Sequence, residues 1–235
     1  MRNVTSINAD NVARVWERIA AAADRAGRSA DDVRLVAITK YVGPDEARAL
    51  MEAGCRDLGE SRPQELWRKA EALYGDSVSW HMVGHLQRNK TRRTIRLIAS
   101  LHSGDSERLM RAVSEAAIDL PTPLPVLLEV NVSGDVQKHG FAPGELVECV
   151  HRLIELPGIE IRGLMAMAAR GSTPETARKD FVTLRELRDR LQPQLPAHVL
   201  LNDLSMGMSG DFEVAVEEGA TIVRIGSLLY EGLDP

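Results

Sequence analysis

Short apolar runs alternate with longer amphipathic runs along most of this chain of 235 residues. Buried strands are short and apolar, whereas helices repeat their apolar residues every three or four positions. The strand-like runs cover residues 34–39, 56–58, 79–83, 99–102, 125–131, 159–165, 198–204 and 221–225. Eight strands alternating with about eight helices predict an α/β fold, a parallel sheet closed into a single (β/α)8 TIM barrel. An open doubly wound sheet is the alternative, but no glycine-rich dinucleotide fingerprint follows the first strand.

Local signals at the expected helix ends agree with this alternation. Ser61 with Gln64 forms a potential capping box, and Asp105 is expected to cap the helix after the fourth strand. Prolines favoured in the first turn of a helix stand at Pro44, Pro143 and Pro174. A helix over residues 10–26, ended by Gly27, precedes the first strand. We expect one domain over residues 1–235, with residues 1–32 as a helical extension packed on the barrel.

Composition excludes several classes of protein. The formal net charge of −5 argues against general nucleic-acid binding, and the basic residues in 88–96 are interpreted as a solvated face. No apolar stretch is long enough to span a bilayer, and the first residues lack a signal-peptide core, so we expect a soluble cytoplasmic protein. Cys55 and Cys149 do not suggest a disulfide framework. His81 and His85 lie on or after a predicted strand, so their spacing does not predict a metal site.

Lys40 follows the first apolar run, where a barrel strand would deliver it to the rim of the sheet. Loss of hydration there would disfavour the ammonium form and leave a nucleophilic amine. Such amines form Schiff bases with aldehydes, including pyridoxal phosphate. The alternative is a lysine whose tip simply reaches solvent at the end of a strand.

Two loops after the last two strands are candidates for binding a phosphate. Residues 205–210 and Gly226-Ser227 are rich in glycine and serine, so backbone N–H groups and hydroxyls could approach an anion closely. Tight turns favour the same residues, which is the alternative for either loop alone. Arg224 lies within the last strand and is predicted to face the barrel mouth, beside a cofactor ring or paired with Glu129 or Glu60.

These residues occur within segments that closely resemble the pyridoxal phosphate homeostasis protein family. The similarity runs in order from about Val33 to Gly232. Its segments are residues 37–40, 59–61, 80–90, 131–133, 162–167, 204–209 and 223–227. The resemblance implies a fold type III barrel related to the N-terminal domain of alanine racemase, which binds pyridoxal 5'-phosphate. Ser61 replaces the usual asparagine, and Gly104 stands where a β-branched residue is usual.

The resemblance also implies roles for individual residues. Lys40 would be the Schiff-base lysine, and Arg224 would lie near the pyridine nitrogen. Phosphate contacts are implied for Ser205, Ser209, Gly226 and Ser227. His85 is expected at the rim near the cofactor, and Met165 and Met206 are expected to pack around its ring.

Binding is favoured over turnover as the function implied by this resemblance. Racemisation needs a base on each face of a planar carbanion, and the second domain that supplies one in alanine racemases is not expected here. We therefore expect a monomer that buffers pyridoxal phosphate and delivers it to apoenzymes, which indirectly supports amino-acid and keto-acid balance. A pyridoxal-dependent racemase or decarboxylase and a Schiff-base aldolase, each using Lys40, are the alternatives.

Overall fold

Eight parallel strands close into a barrel in the structure, a computed structural model that describes residues 4–135, 139–169 and 171–233. Each strand pairs with the next along the chain, and the last pairs with the first. The strands are β1 (Arg34–Ile38), β2 (Asp57–Glu60), β3 (Ser79–Met82), β4 (Ser100–Gly104), β5 (Leu124–Glu129), β6 (Ile159–Met165), β7 (Asp203–Ser205) and β8 (Ile222–Ile225). This closure confirms the predicted (β/α)8 fold.

Helices precede the first strand and connect the others on the outside of the barrel. They are α1 (Val4–Arg25), α2 (Pro44–Glu52), α3 (Pro63–Ala72), α4 (Thr91–Thr94), α5 (Glu107–Ala117), α6 (Pro143–Leu153), α7 (Pro174–Leu191) and α8 (Phe212–Glu217). The three predicted N-terminal prolines each begin a helix. Gly27, with a φ of 65°, follows α1 in the left-handed conformation that favours glycine. None of the helices within the described ranges is both long and apolar enough to cross a membrane.

The seventh strand differs most from its prediction. Residues 198–202 were expected to begin it, but β7 covers only Asp203–Ser205. The side chain of Gln192 accounts for the difference, because it donates to the Val199 carbonyl at 2.9 Å and accepts from the Leu201 N–H at 2.7 Å. Backbone groups that the prediction assigned to a strand ladder therefore bond to a side chain of the preceding segment.

Two predicted helix caps were also displaced by one residue. The residue that caps α3 is Arg62 rather than Ser61, because Glu60 Oε1 accepts the N–H groups of both residues and draws the turn inward. The cap of α5 is Ser106 rather than Asp105, and Ser106 Oγ accepts from the Leu109 N–H at 3.3 Å. The Asp105 carboxylate contacts His85 instead, with Oδ2 2.6 Å from His85 Nδ1.

Alternate residues of each strand face opposite sides of the barrel wall. Leu35 and Ala37 belong to the large core between strands and helices. Val36 and Ile38 instead join a small interior cluster, to which Leu127, Met165 and Ile222 also belong. Much of the remaining interior is polar, and those polar groups form the floor of the site.

Helix α1 packs beside α8. Arg18 pairs with Glu213 through two nitrogen–oxygen contacts of 3.0 Å, and its guanidinium carbon lies 4.7 Å from the centroid of the Phe212 ring. The buried Asn11 side chain donates to the Leu229 carbonyl at 3.1 Å. These contacts tie α1 to α8 and to the turn that follows β8.

Candidate functional site

A cavity of about 390 Å³ opens at the carboxyl ends of the barrel strands, the end where barrel enzymes carry their active sites. Five of the predicted site residues line it, namely Lys40, Ser209, Arg224, Gly226 and Ser227. An amine, a guanidinium, two hydroxyls and exposed backbone of a glycine loop thus face one space.

Lys40 lies in the turn after β1, and its side chain is exposed. The Nζ atom stands 4.7 Å from the centroid of the Tyr41 ring, a cation–π distance. The sequence predicted a Lys40 side chain that loses part of its hydration, whereas in the structure it is exposed. The reason is that β1 ends at Ile38 and the chain has already turned outward at Lys40. The amine is therefore available to a ligand entering from solvent.

A buried ion pair holds the backbone immediately before Lys40. Lys69 Nζ lies 2.5 Å from Glu60 Oε2 and donates to the Thr39 carbonyl at 2.5 Å, and both charged side chains are fully buried. Glu60 Oε1 accepts the Ser61 and Arg62 N–H groups. Sequence reasoning missed Lys69, since a lysine within an amphipathic helix is usually a solvated residue. The pair fixes the ends of β1 and β2 beside the cavity.

The two glycine-rich loops are joined to each other. The Gly226 N–H donates to Ser209 Oγ at 3.2 Å, and the Arg224 N–H donates to the Gly207 carbonyl at 3.0 Å. Gly207 has a φ of 91°, and a Cβ there would lie 2.9 Å from the Cα of Phe212. Glycine is required at this point because both the backbone conformation and the close approach exclude a side chain.

Arg224 is buried beneath these loops. It donates to Ser205 Oγ at 2.7 Å and to the Ala166 carbonyl at 3.0 Å. Burial lowers the pKa of Arg224 to about 10, while the charges of Glu129 and Asp211 oppose that decrease. The guanidinium therefore stays cationic at neutral pH. Its sequence-based alternative partner Glu60 pairs with Lys69 instead.

A chain of buried polar groups extends from Arg224 across the barrel interior. Ser205 Oγ lies 3.0 Å from His102 Nδ1, and His102 Nε2 lies 3.0 Å from His81 Nδ1. His81 Nε2 lies 2.8 Å from Asp57 Oδ1. A carboxylate only accepts and a guanidinium only donates, so two neutral imidazoles allow one consistent direction. In this direction, Arg224 donates to Ser205 and Ser205 donates to His102. His102 then donates to His81, and His81 donates to Asp57.

His102 should make stability fall in acid. Burial holds its pKa well below the usual value, and the positive charge of Arg224 adds to the effect. The unfolded chain takes up this proton below about pH 6.5 and the folded chain does not. Well below that pH, this group therefore lowers the free energy of unfolding by about 1.4 kcal/mol for each unit that the pH falls. Between pH 7.5 and 5.5, urea unfolding should show a loss of about 1.4 kcal/mol from this group in the wild type and a smaller loss in His102→Asn.

The exposed His151, replaced in His151→Asn, is the matched control for that measurement. Its loss should equal that of the wild type. An unchanged loss in His102→Asn would mean that His102 is protonated in the folded protein and would contradict the proton direction deduced above.

Four predicted site residues lie outside the cavity lining. Ser205 is fully buried and bonded to Arg224 and His102. Met165 packs in the interior cluster below the cavity, and Met206 packs in the outer core against the helices. His85 turns away from the cavity toward Asp105, at 2.6 Å. Strand alternation explains Met206, which follows the inward-facing Ser205 and therefore faces outward.

Other lining residues were not predicted as ligands. Ile38 and Val83 form an apolar floor over the interior cluster. The Tyr230 hydroxyl donates to the Ile38 carbonyl at 3.2 Å, and burial raises the pKa of Tyr230. Gly84 also lines the cavity, and a Cβ there would lie 2.3 Å from the Ser61 carbonyl oxygen. Close backbone packing thus shapes one wall of the cavity.

Known proteins resemble this chain over nearly its whole length. The family model described as the N-terminal domain of alanine racemase matches residues 7–234. A relative in Aquifex aeolicus named pyridoxal phosphate homeostasis protein is 42% identical over 94% of this chain and 96% of its own length. This chain belongs to the pyridoxal phosphate homeostasis protein family.

Solved structures extend the comparison to three dimensions. An unknown protein from Bifidobacterium adolescentis is 37% identical, with a TM-score of 0.89 over 96% of this chain and 95% of that chain. The structure of PipY from Synechococcus elongatus with pyridoxal phosphate bound is 34% identical, with a TM-score of 0.78 over 85% of this chain and 92% of that chain. The barrel is thus that of the pyridoxal phosphate homeostasis proteins over nearly its whole length.

Proposed function

We propose that this protein binds pyridoxal 5'-phosphate at Lys40, buffers it, and releases it to apoenzymes, with little turnover of its own. The main support for this proposal is that one cavity is lined by the Lys40 amine, the Arg224 guanidinium and the linked loops of Ser209 and Gly226. The names of its close relatives and the ligand of the PipY structure support the same cofactor.

The residues present fit this cofactor in chemistry. A Schiff base with the cofactor aldehyde requires an amine. The Lys40 amine is exposed, so it can reach the aldehyde without first leaving a buried ion pair. A phosphate requires hydrogen-bond donors, which Ser209, Ser227 and the open backbone of Gly210 offer. The apolar floor of Ile38 and Val83 suits the face of an aromatic ring. When bound, the cofactor supplies an electron sink.

Arg224 supports binding over turnover. A permanent cation near a pyridine nitrogen disfavours its protonation and so weakens the ring as an electron sink. The two tyrosines that could act as the second base are also poorly placed for that role. Tyr41 adjoins Lys40 and is largely exposed, and the Tyr230 hydroxyl is bonded to the Ile38 carbonyl. These two tyrosines are the hydroxyphenyl groups among the lining residues that the structure describes.

Lys40→Ala should abolish covalent cofactor attachment. Without the amine no carbon–nitrogen bond can form, so borohydride-treated protein should retain no cofactor after denaturation, against about one per chain in the wild type. The measurement is the mass of the intact protein. Lys179→Ala, which changes an exposed lysine on α7, is the matched control and should retain the wild-type mass increase. Equal incorporation in Lys40→Ala would contradict the proposal.

Two further assays separate storage, delivery and catalysis. Transfer from loaded protein to an apoenzyme faster than spontaneous release would support delivery; equal rates would leave only buffering. Exchange of the α-proton of amino acids at a rate that depends on Lys40 would favour the racemase alternative. We expect no such exchange above that of free cofactor, because Arg224 limits carbanion stabilisation.

A further inference from the structure

We propose that His85, Asp105 and His139 form a binding site for a divalent transition-metal ion of the Zn²⁺ type. One ligand atom from each residue lies within 4.8 Å of the other two. The three residues come from separate loops, after β3, at the end of β4 and after β5, so their convergence is a product of the fold. None of them lines the cavity that contains Lys40.

The two imidazoles converge on one carboxylate oxygen. His85 Nδ1 lies 2.6 Å from Asp105 Oδ2, and His139 Nδ1 lies 4.0 Å from the same atom. The two rings are stacked, with centroids 4.2 Å apart and planes 12° apart. In both rings the nitrogen near Oδ2 is Nδ1. Because an imidazole binds a metal in its own ring plane, binding of one ion by both requires the exposed rings to rotate out of this stack.

Burial and a hydrogen bond hold the Asp105 carboxylate in one orientation, as is usual for a metal ligand. Its side chain is only 4% exposed, and its Oδ1 accepts a hydrogen bond from the Ser106 hydroxyl at 3.0 Å. This bond leaves Oδ2 turned toward the histidines and supplies the outer hydrogen bond typical of carboxylate ligands. Because Ser106 also caps α5, the carboxylate is tied to a rigid element.

The spacing of the ligand atoms suits a small tetrahedral ion. Zn²⁺ ligands lie about 2.1 Å from the metal, so tetrahedral neighbours lie roughly 3.4 Å apart. The two nitrogen–oxygen distances of 2.6 and 4.0 Å bracket that separation. The His85 and His139 side chains are 42% and 61% exposed, so both can adjust and a fourth position stays open to solvent.

Nearby charges predict an exchangeable site rather than a structural one. Arg88 and Arg108 line the same surface groove as His85 and Asp105. Their positive charges disfavour a cation, whereas the Asp105 carboxylate favours it. Two histidines and one carboxylate with an open position are typical of exchangeable or catalytic metal sites, not of closed structural ones.

The test is metal titration of the full-length protein with Zn²⁺ by calorimetry and with Co²⁺ by visible absorption. We expect one ion per chain, with the intense d–d bands of a tetrahedral Co²⁺ site in the wild type. His139→Gln should weaken binding more than about tenfold, since it removes a direct ligand from an exposed position where folding is not at risk. His85→Gln/His139→Gln should abolish it.

His151→Gln and His198→Gln are matched controls, because both histidines are exposed and remote in sequence. Both should bind as the wild type does. Absence of stoichiometric binding, or equal weakening in a control and in His139→Gln, would overturn the proposal. Lys40→Ala should bind the metal unchanged, so this test is independent of the cofactor proposal.

Discussion

Lys69→Met should lower the free energy of unfolding by about 3–5 kcal/mol, because removal of one partner leaves a charged group buried without compensation. Glu60 is fully buried, and its Oε2 lies 2.5 Å from Lys69 Nζ. The Thr39 carbonyl also loses its bond to Lys69. Urea unfolding at neutral pH measures the effect.

The double variant Glu60→Gln/Lys69→Met separates the charge from the packing. It removes both charges together, so it should recover most of the stability lost in Lys69→Met. Lys179→Met, at an exposed position on α7, should change stability by less than about 0.5 kcal/mol. A loss below about 1 kcal/mol in Lys69→Met would mean that solvent reaches Glu60, contrary to the burial of the pair.

Gly163→Ala should cost about 3 kcal/mol or more, because the added methyl group overpacks a barrel wall that cannot yield locally. A Cβ at Gly163 would lie 1.8 Å from the Asp203 carbonyl oxygen, and the two residues are partners in the β6–β7 pairing. Relief would require these strands to separate next to Ser205. Thermal and urea unfolding measure the loss.

Gly144→Ala is the matched control for that steric prediction. Gly144 lies in the first turn of α6, where an added Cβ meets nothing within 4 Å and φ is not positive. Alanine restricts the unfolded chain there and should raise stability by about 0.4–1 kcal/mol. Equal stabilities of the two variants would show that β6 and β7 can separate without cost.

The barrel could be predicted from sequence because its determinants are local. Periodicity marked the strands, and Pro44, Pro143 and Pro174 marked helix starts that the structure confirms. Errors arose where a distant or neighbouring side chain competed for backbone groups. Gln192 bonds the segment expected to begin β7, and Glu60 accepts the Ser61 N–H that the Gln64 side chain would accept in the predicted capping box.

The cavity was anticipated only in part, for a related reason. Residues after strands, such as Lys40 and Ser209, can be assigned to the barrel mouth from chain order alone. The hydrogen-bonded series from Asp57 to Arg224 joins groups far apart in sequence, so no spacing rule reveals it. His102 and Ser205, for example, are separated by 103 positions in sequence. Polar residues within buried strands, such as His81 and His102, were the one available signal.

His85 has partners that the sequence did not predict. Chain order predicts it at the rim near the cofactor, and in the structure its side chain bonds to Asp105 and stacks on His139. His139 follows a different strand, so the attraction between these groups becomes visible only after folding. The same contacts that remove His85 from the cavity create the proposed metal site.

An experimental structure of the protein loaded with pyridoxal phosphate tests the central claim most directly. We predict continuous density from Lys40 Nζ to the ligand, a phosphate between the Ser209 and Gly226-Ser227 loops, and a ring resting on Ile38 and Val83. A ligand attached to Lys69, Lys90, Lys138 or Lys179, the other four lysines of the chain, would contradict the account. So would a phosphate bound outside this cavity.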